Sequence, residues 1–324
     1  MVCQTAKSIE DVLRLALRIT SEDERLNVRP GVKVSYFFRG ENQNYQDREH
    51  DVYPSAGFKP GIYRDPKHLA RETRFVNEAI RLFPEEFQSD HTTFERLTRL
   101  QRFGFPTRLA DVTQNLFVAT AFACMKGYDD LAKLPADQRM GFVHVYRIND
   151  ERIKYSTGDT VTALSKLAML SADKIDLKNL SGLAYEVKDE RPGFYWANPK
   201  KDSTSKRLVE DIQKVWCVRP VMNNGRIKVQ DGAFLLFGCG NRKQCLTAIF
   251  SEDDFTQKES STYGIAQIAS IGIPRIVKEK FKRAKRFLGV DDYRIYPDLE
   301  ELAKTMKKGC RNEEGRKEYA EEWR

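Results

Sequence analysis

Between two helical stretches the chain reads LQRFGFPTRLADVT, residues 100–113, which sets Arg108, Asp111 and the hydroxyls of Thr107 and Thr113 against the apolar run NLFVATAFACM. Leaving a charge buried without a partner costs several kcal/mol, so these groups must pair or face a cavity. Arg108 and Asp111 lie three residues apart and can reach one another if the segment turns. An internal Arg–Asp brace and a ligand site therefore stand as equal readings, with the two threonine hydroxyls free to cap the adjoining helix.

Two further segments repeat this mixture of arginine, glycine and small polar groups. In YFFRG, residues 36–40, an extended run ends in Arg39 and Gly40. A guanidinium there can fork onto phosphate or ribose oxygens while a bare glycine backbone permits close approach. Pairing of Arg39 with a nearby carboxylate is the competing reading. In NNGRIKVQDGAF, residues 223–234, Asn223 to Gly225 make a turn and Arg226 to Gln230 fit a short strand. Asp231 and Gly232 then lead into the apolar run AFLLFG, and a simple hairpin accounts for the pattern equally well.

The elements that must position these groups follow from periodicity. Ser8 and Asp11 open a capped helix in which Ile9, Val12, Leu13, Ala16 and Ile19 recur at helical spacing. From Val32 the pattern alternates, with Val34, Tyr36 and Phe38 on one face, as a strand requires, and Gly40 closes it. Helical patterns cover Lys67–Phe83 and Thr93–Phe103, with Gly104 and Pro106 as stops, which makes the 104–113 segment a joint. The run after it is a helix buried on most faces. GFVHVYRI, KVWCVRP, GAFLLFG and CLTAIF read as strands, and RIVKEKFKRAKRFLG and DLEELAKTMKK as helices. The polar region 149–206 is partly helical; its loop YWANPKKDSTSKR offers aromatic and basic groups that suit a base and phosphates, or an ordinary surface.

Composition narrows the class. The chain has 324 residues, 40% of them hydrophobic and 31% charged, enough for one large core or two modest ones in a globular protein. Its longest uncharged apolar run is too short to cross a bilayer, and the amino terminus lacks the order of a secretory signal. The six cysteines are scattered without a C-x-x-C pair, so they read as reduced thiols rather than a metal site, and a cytoplasmic location is expected. The net charge of +8 permits an anionic partner, and the densest basic run is KEKFKRAKR, Lys278–Arg286, which reads as a solvated helix face or a phosphate-binding strip.

The three arginine-bearing segments together resemble the FRG domain family. Phe38, Arg39 and Gly40 match its namesake motif; Gln101, Phe103, Gly104, Pro106–Leu109, Asp111 and Thr113 its middle motif; Arg226, Ile227, Gln230, Gly232 and Phe234 its later motif; and Gly289–Lys304 its closing pattern. Departures are Glu41 where the family has Gln, Val112 for a frequent Trp and Ala110 for a Leu. The family's arginine strand is in turn similar to the first motif of arginine-bearing ADP-ribosyltransferases. By that resemblance Phe38, Arg39 and Gly40 bind NAD, with Thr107, Arg108, Thr113 and Arg226 lining the pocket, and a later acid stabilises the ribosyl cation. The usual glutamate motif is missing; Gln230 stands nearest to it, leaving Glu41 or Asp111 to serve, or an inactive site.

The resulting expectation is an α/β (α+β) domain, a small mixed or split β-sheet wrapped by helices. It comprises a helical lead-in at 1–30, the FRG-like domain at 31–308 with an insertion near 149–206, and a charged tail at 309–324. The expected function is NAD-dependent transfer of ADP-ribose to a macromolecular acceptor, nucleic acid or protein, as a toxin or anti-phage effector with a possible inhibitory partner and no membrane. The alternative is a catalytically silent module that binds nucleic acid or a nucleotide.

Overall fold

The structure, a computed structural model, describes residues 2–28, 30–42, 60–125, 140–171, 181–190, 208–223, 225–240, 264–297 and 302–303. Strand β1 (Val2–Thr5) leads into helix α1 (Ile9–Asn27), which Ser8 caps by accepting from the Asp11 amide at 3.2 Å. Strand β2 (Val34–Glu41) is followed by a 3-10 turn at Gly61–Tyr63, then by helices α2 (Pro66–Ala70), α3 (Glu72–Leu82) and α4 (Thr93–Arg102). Thr92 and Glu95 close a capping box at the start of α4. Strand β3 (Leu109–Thr113), helix α5 (Leu116–Cys124) and strands β4 (Gly141–Asn149) and β5 (Ile153–Tyr155) come next. Helices α6 (Asp159–Lys166) and α7 (Ser181–Glu190), strand β6 (Val215–Arg219), helix α8 (Gly225–Gln230) and strand β7 (Gly232–Phe237) precede strand β8 (Ile265–Ile273) and helices α9 (Arg275–Ala284) and α10 (Asp292–Ile295).

The strands form one mixed sheet in the order β1-β8-β4-β2-β3-β7-β6-β5. Only β1 with β8 and β5 with β6 pair in parallel. Its two halves are unequally joined. β2 pairs with β4 along its whole length from Val34 to Glu41, whereas it meets β3 at the single register pair Phe38↔Thr113. Of the expected small mixed or split sheet, the mixed form is present, as one continuous sheet that at eight strands among the described residues is not small.

Strand alternation divides the core. Phe38 packs with Val143, Val145 and Ile271 against Val12 and Ile19 of α1, Val118 of α5 and Phe281 of α9. Phe37 belongs with Tyr146, Ile148, Val112 and Leu235 in a cluster sealed by Ile62 and Tyr63. A third cluster joins Phe94 and Leu97 of α4 and Leu164 of α6 to Leu109, Trp216, Phe234 and Leu236. Helix α5 sits almost on the sheet backbone: a Cβ on Gly40 would lie 1.8 Å from the Ala119 carbonyl oxygen, and one on Gly141 2.1 Å from that of Ala123. Small residues one turn apart let the helix in, and the glycines complete the approach. No helix among the described residues is long and apolar enough to cross a membrane.

Several expectations need correction. The 104–113 segment is a joint only in its first half, because Leu109–Thr113 pairs with β7 as a strand. Arg226–Gln230 is helical, not a short strand, and ends at Asp231, whose φ of 46° reverses the chain into β7. The helix expected at 67–83 is broken at Arg71 into α2 and α3. β2 does not close at Gly40 but runs on to Glu41. CLTAIF, the YWANPKK loop, most of DLEELAKTMKK and the charged tail lie outside the described residues. Strands β1 and β8 were not anticipated.

The glycine at position 40 is thus tested by its packing. Gly40→Ala forces β2 and α5 apart and is expected to cost about 1–3 kcal/mol or more, read as a lower denaturant midpoint; an unchanged midpoint would contradict the close approach.

Candidate functional site

The first and middle motifs meet where β2 pairs with β3. Arg39 and Glu41 project from β2 on the face that also carries His144 of β4, the register partner of Arg39. Arg39 donates from Nε to Glu41 Oε1 at 3.1 Å and from Nη1 to the main-chain carbonyl of Asp111 at 2.8 Å. Its guanidinium therefore crosses the seam where the ladder has only one pair. Among the described residues nothing hydrogen-bonds its Nη2, and the side chain keeps 16% of its surface exposed. Burial works against its charge, but Glu41 and Asp111 outweigh this and raise its pKa.

Glu41 is itself held twice. His144 Nε2 lies 3.3 Å from its Oε2, and the carboxylate side chain is 5% exposed. Burial favours its neutral form, yet the His144 hydrogen bond and the Arg39 charge prevail and hold the pKa at about 2. It is a carboxylate throughout the neutral range. Tyr146, two residues on from His144, is fully buried beside the guanidinium, and its burial drives the phenol pKa up despite the opposing charge of Arg39.

The middle motif is a hydrogen-bonded frame. Gln101 at the end of α4 accepts from the Thr107 hydroxyl through its Oε1 and donates from Nε2 to Asp111 Oδ2 at 2.9 Å. The same Asp111 that offers its carbonyl to Arg39 thus turns its carboxylate to Gln101, at the exposed position between buried Ala110 and Val112 of β3. Thr113 donates to the Gln230 carbonyl at 2.6 Å and accepts from the Asn115 amide at 2.9 Å. Asn115, not either threonine, caps α5, taking the Phe117 and Val118 amides at 2.9 and 3.3 Å.

Arg108 is placed elsewhere. The Arg108–Asp111 brace does not form, because residues three apart in a strand point to opposite faces. Arg108 is 0% exposed; its Nε donates to Glu72 Oε1 at 2.8 Å and its Nη1 to the Phe237 carbonyl at 3.1 Å. It ties α3 to β7 from inside. The space left by Gly40 is likewise taken by α5, so that glycine serves helix packing. Phe38 is buried in the α1–α5 cluster.

The later motif reaches the same seam through its backbone. Gln230 offers its carbonyl to Thr113 and uses its side-chain amide to donate to the Ile295 carbonyl at 2.9 Å. Arg226 stacks its guanidinium 4.1 Å from the Tyr296 ring centroid. In the basic run, Lys278 turns inward and donates to the Asn42 carbonyl at 2.6 Å just past β2, and burial lowers its pKa to about 8. Lys282 and Lys285 pair with Glu279 and Asp292, while Lys280 and Arg283 are exposed.

Sequence reasoning missed Glu72, His144, Gln267 and Ser270. Glu72 sits 36 residues before its arginine. His144 did carry a signal: it is the one ionisable side chain inside the apolar alternation of GFVHV, in phase with Phe142 and Tyr146.

The arrangement defines a mixed α/β domain organised round a strand-borne arginine at a sheet seam. The family model of the FRG domain matches residues 34–130, a stretch that includes β2 through α5. No curated protein and no solved structure matches the chain.

The buried pair gives a stability test. Glu72→Gln leaves the Arg108 charge uncompensated and is expected to cost about 3–5 kcal/mol, read by chemical denaturation. A loss below about 1 kcal/mol, the scale of an exposed pair, would contradict the brace.

Proposed function

We propose that the chain binds NAD, or a related nucleotide, through Arg39 and transfers its ADP-ribosyl group to a macromolecular acceptor, nucleic acid or protein. The observation that carries this reading is the state of the guanidinium: Glu41 and the Asp111 carbonyl fix two of its edges, and among the described residues none holds Nη2, at a partly exposed position. A donor held in place before the ligand arrives loses little freedom on binding and suits a pyrophosphate or ribose oxygen.

In the transfer, the bond between the ribose anomeric carbon and the nicotinamide nitrogen breaks, and nicotinamide leaves with the electron pair. An acceptor oxygen or nitrogen bonds to the same carbon and gives its proton to solvent. Positive charge develops on the ribose meanwhile, and a carboxylate stabilises it. Of the two acids considered, Asp111 fits that role better than Glu41. Asp111 is exposed and, among the described residues, only its Oδ2 is engaged, by Gln101, whereas Glu41 is buried between Arg39 and His144. Gln230 is committed to Ile295 and Thr113, which supports a framing role. Exposed Lys280 and Arg283 suit an anionic acceptor.

Binding without turnover is favoured by a different observation: both acids already serve internal hydrogen bonds. The two readings separate on incubating the purified chain with labelled NAD and cell extract. Label is expected on protein or nucleic acid, falling at least about a hundredfold in Arg39→Ala, while Asp111→Asn keeps NAD affinity and loses transfer. Full labelling by Arg39→Ala would overturn the reading, and NAD binding without labelling by the parent chain would leave the silent module.

A further inference from the structure

Behind Glu41 a chain of buried polar groups continues into the sheet. His144 Nδ1 lies 2.9 Å from Ser270 Oγ and 3.0 Å from Gln267 Nε2, and Gln267 Nε2 lies 3.1 Å from Ser270 Oγ. His144 and Ser270 are 1% and 0% exposed, and Gln267 is buried as well. The ring of Phe142 stacks on the imidazole at 6.2 Å between centroids, an interplanar angle of 10° restricting its tilt. β4 and β8 stay in register at His144↔Ser270 and shift only after Val145, so Gln267 reaches the same imidazole from beyond a bulge.

This wiring has a direction. An amide nitrogen can only donate, so Gln267 makes Nδ1 the acceptor and leaves the ring proton on Nε2, which faces Glu41. Glu41 then receives one hydrogen bond from behind, at Oε2, and one from Arg39 in front, at Oε1. The carboxylate cannot rotate without losing one of them. We propose that His144 is a positioning residue: set by Gln267 and Ser270, it locks Glu41 so that the carboxylate fixes the Nε edge of Arg39 and aims the guanidinium at its ligand.

The proposal rests on the reading of Arg39 as a ligand-binding group, but its structural half can be judged alone. The measurement is hydrogen exchange of the Arg39 Nε–H in the full chain, followed by NMR, beside NAD affinity by calorimetry. In His144→Asn the amide falls short of Glu41, and the Arg39 Nε–H is expected to exchange faster, with NAD binding about tenfold weaker, the worth of a hydrogen bond to a charged group. His144→Gln sets an amide nitrogen where Nε2 stood and is expected to restore both. In a Glu41→Gln background, His144→Asn is expected to add nothing further, because its effect passes through the carboxylate.

Unchanged Arg39 exchange in a folded His144→Asn chain would overturn the proposal. So would a folded His144→Gln chain as impaired as the Asn variant, or additive effects in the double variant. If the parent chain binds no NAD, the NAD-dependent reading fails and the exchange measurement still decides whether His144 positions Arg39.

Discussion

One guanidinium spans the weakest join in the sheet. At β2–β3 the backbone ladder supplies a single register pair, and Arg39 adds a second link by reaching from β2 to the Asp111 carbonyl of β3. A charged side chain can do this only while its own charge is balanced, and Glu41, ionised and buried, provides the balance. The rest of the architecture supports that arrangement. Gly40 and Gly141 let α5 press on one side of the strands, and His144 backs Glu41 on the other.

The three motifs divide this labour. The first supplies the arginine and the close helix approach. The middle one supplies a frame in which Gln101 ties Thr107 to Asp111, together with a separate internal brace from Arg108 to Glu72. The later one closes the seam from behind through the Gln230 carbonyl on Thr113. Polar groups at the motif positions are thus mostly paired with one another, as burial demands. Among the described residues, Arg39 Nη2 and Asp111 Oδ1 stand apart from this pairing, at partly or fully exposed positions.

Much of this was legible in the chain. The expectation that the three segments meet agrees with the links from Arg39 to Asp111 and from Thr113 to Gln230, but Arg108 turns to Glu72 and Arg226 to Tyr296 instead of joining Arg39. The capped α1 and the strand expected from Val32 to Gly40 followed from periodicity, and α5 from its lack of a polar side. What escaped depended on distance. Nothing near Arg108 points to Glu72, and the local spacing to Asp111 suggested a turn that pairing with β7 overrode. Gly40 looked like room for a ligand, since no sequence pattern says that Ala119 fills it. GRIKVQ alternates well enough for a strand, but it forms a helix that ends where Asp231 reverses the chain into β7. In β8 the register shift puts Gln267 and Ser270, three residues apart, on one face, so the strand carries no period of two.

The central claim is that the seam arginine is held ready for a phosphorylated nucleotide, and a crystal structure of the full chain soaked with NAD tests it most directly. The account predicts pyrophosphate or ribose oxygens within hydrogen-bond distance of Arg39 Nη2, with Nε still on Glu41. Density for the nucleotide elsewhere, with the Arg39 edge untouched, would contradict it.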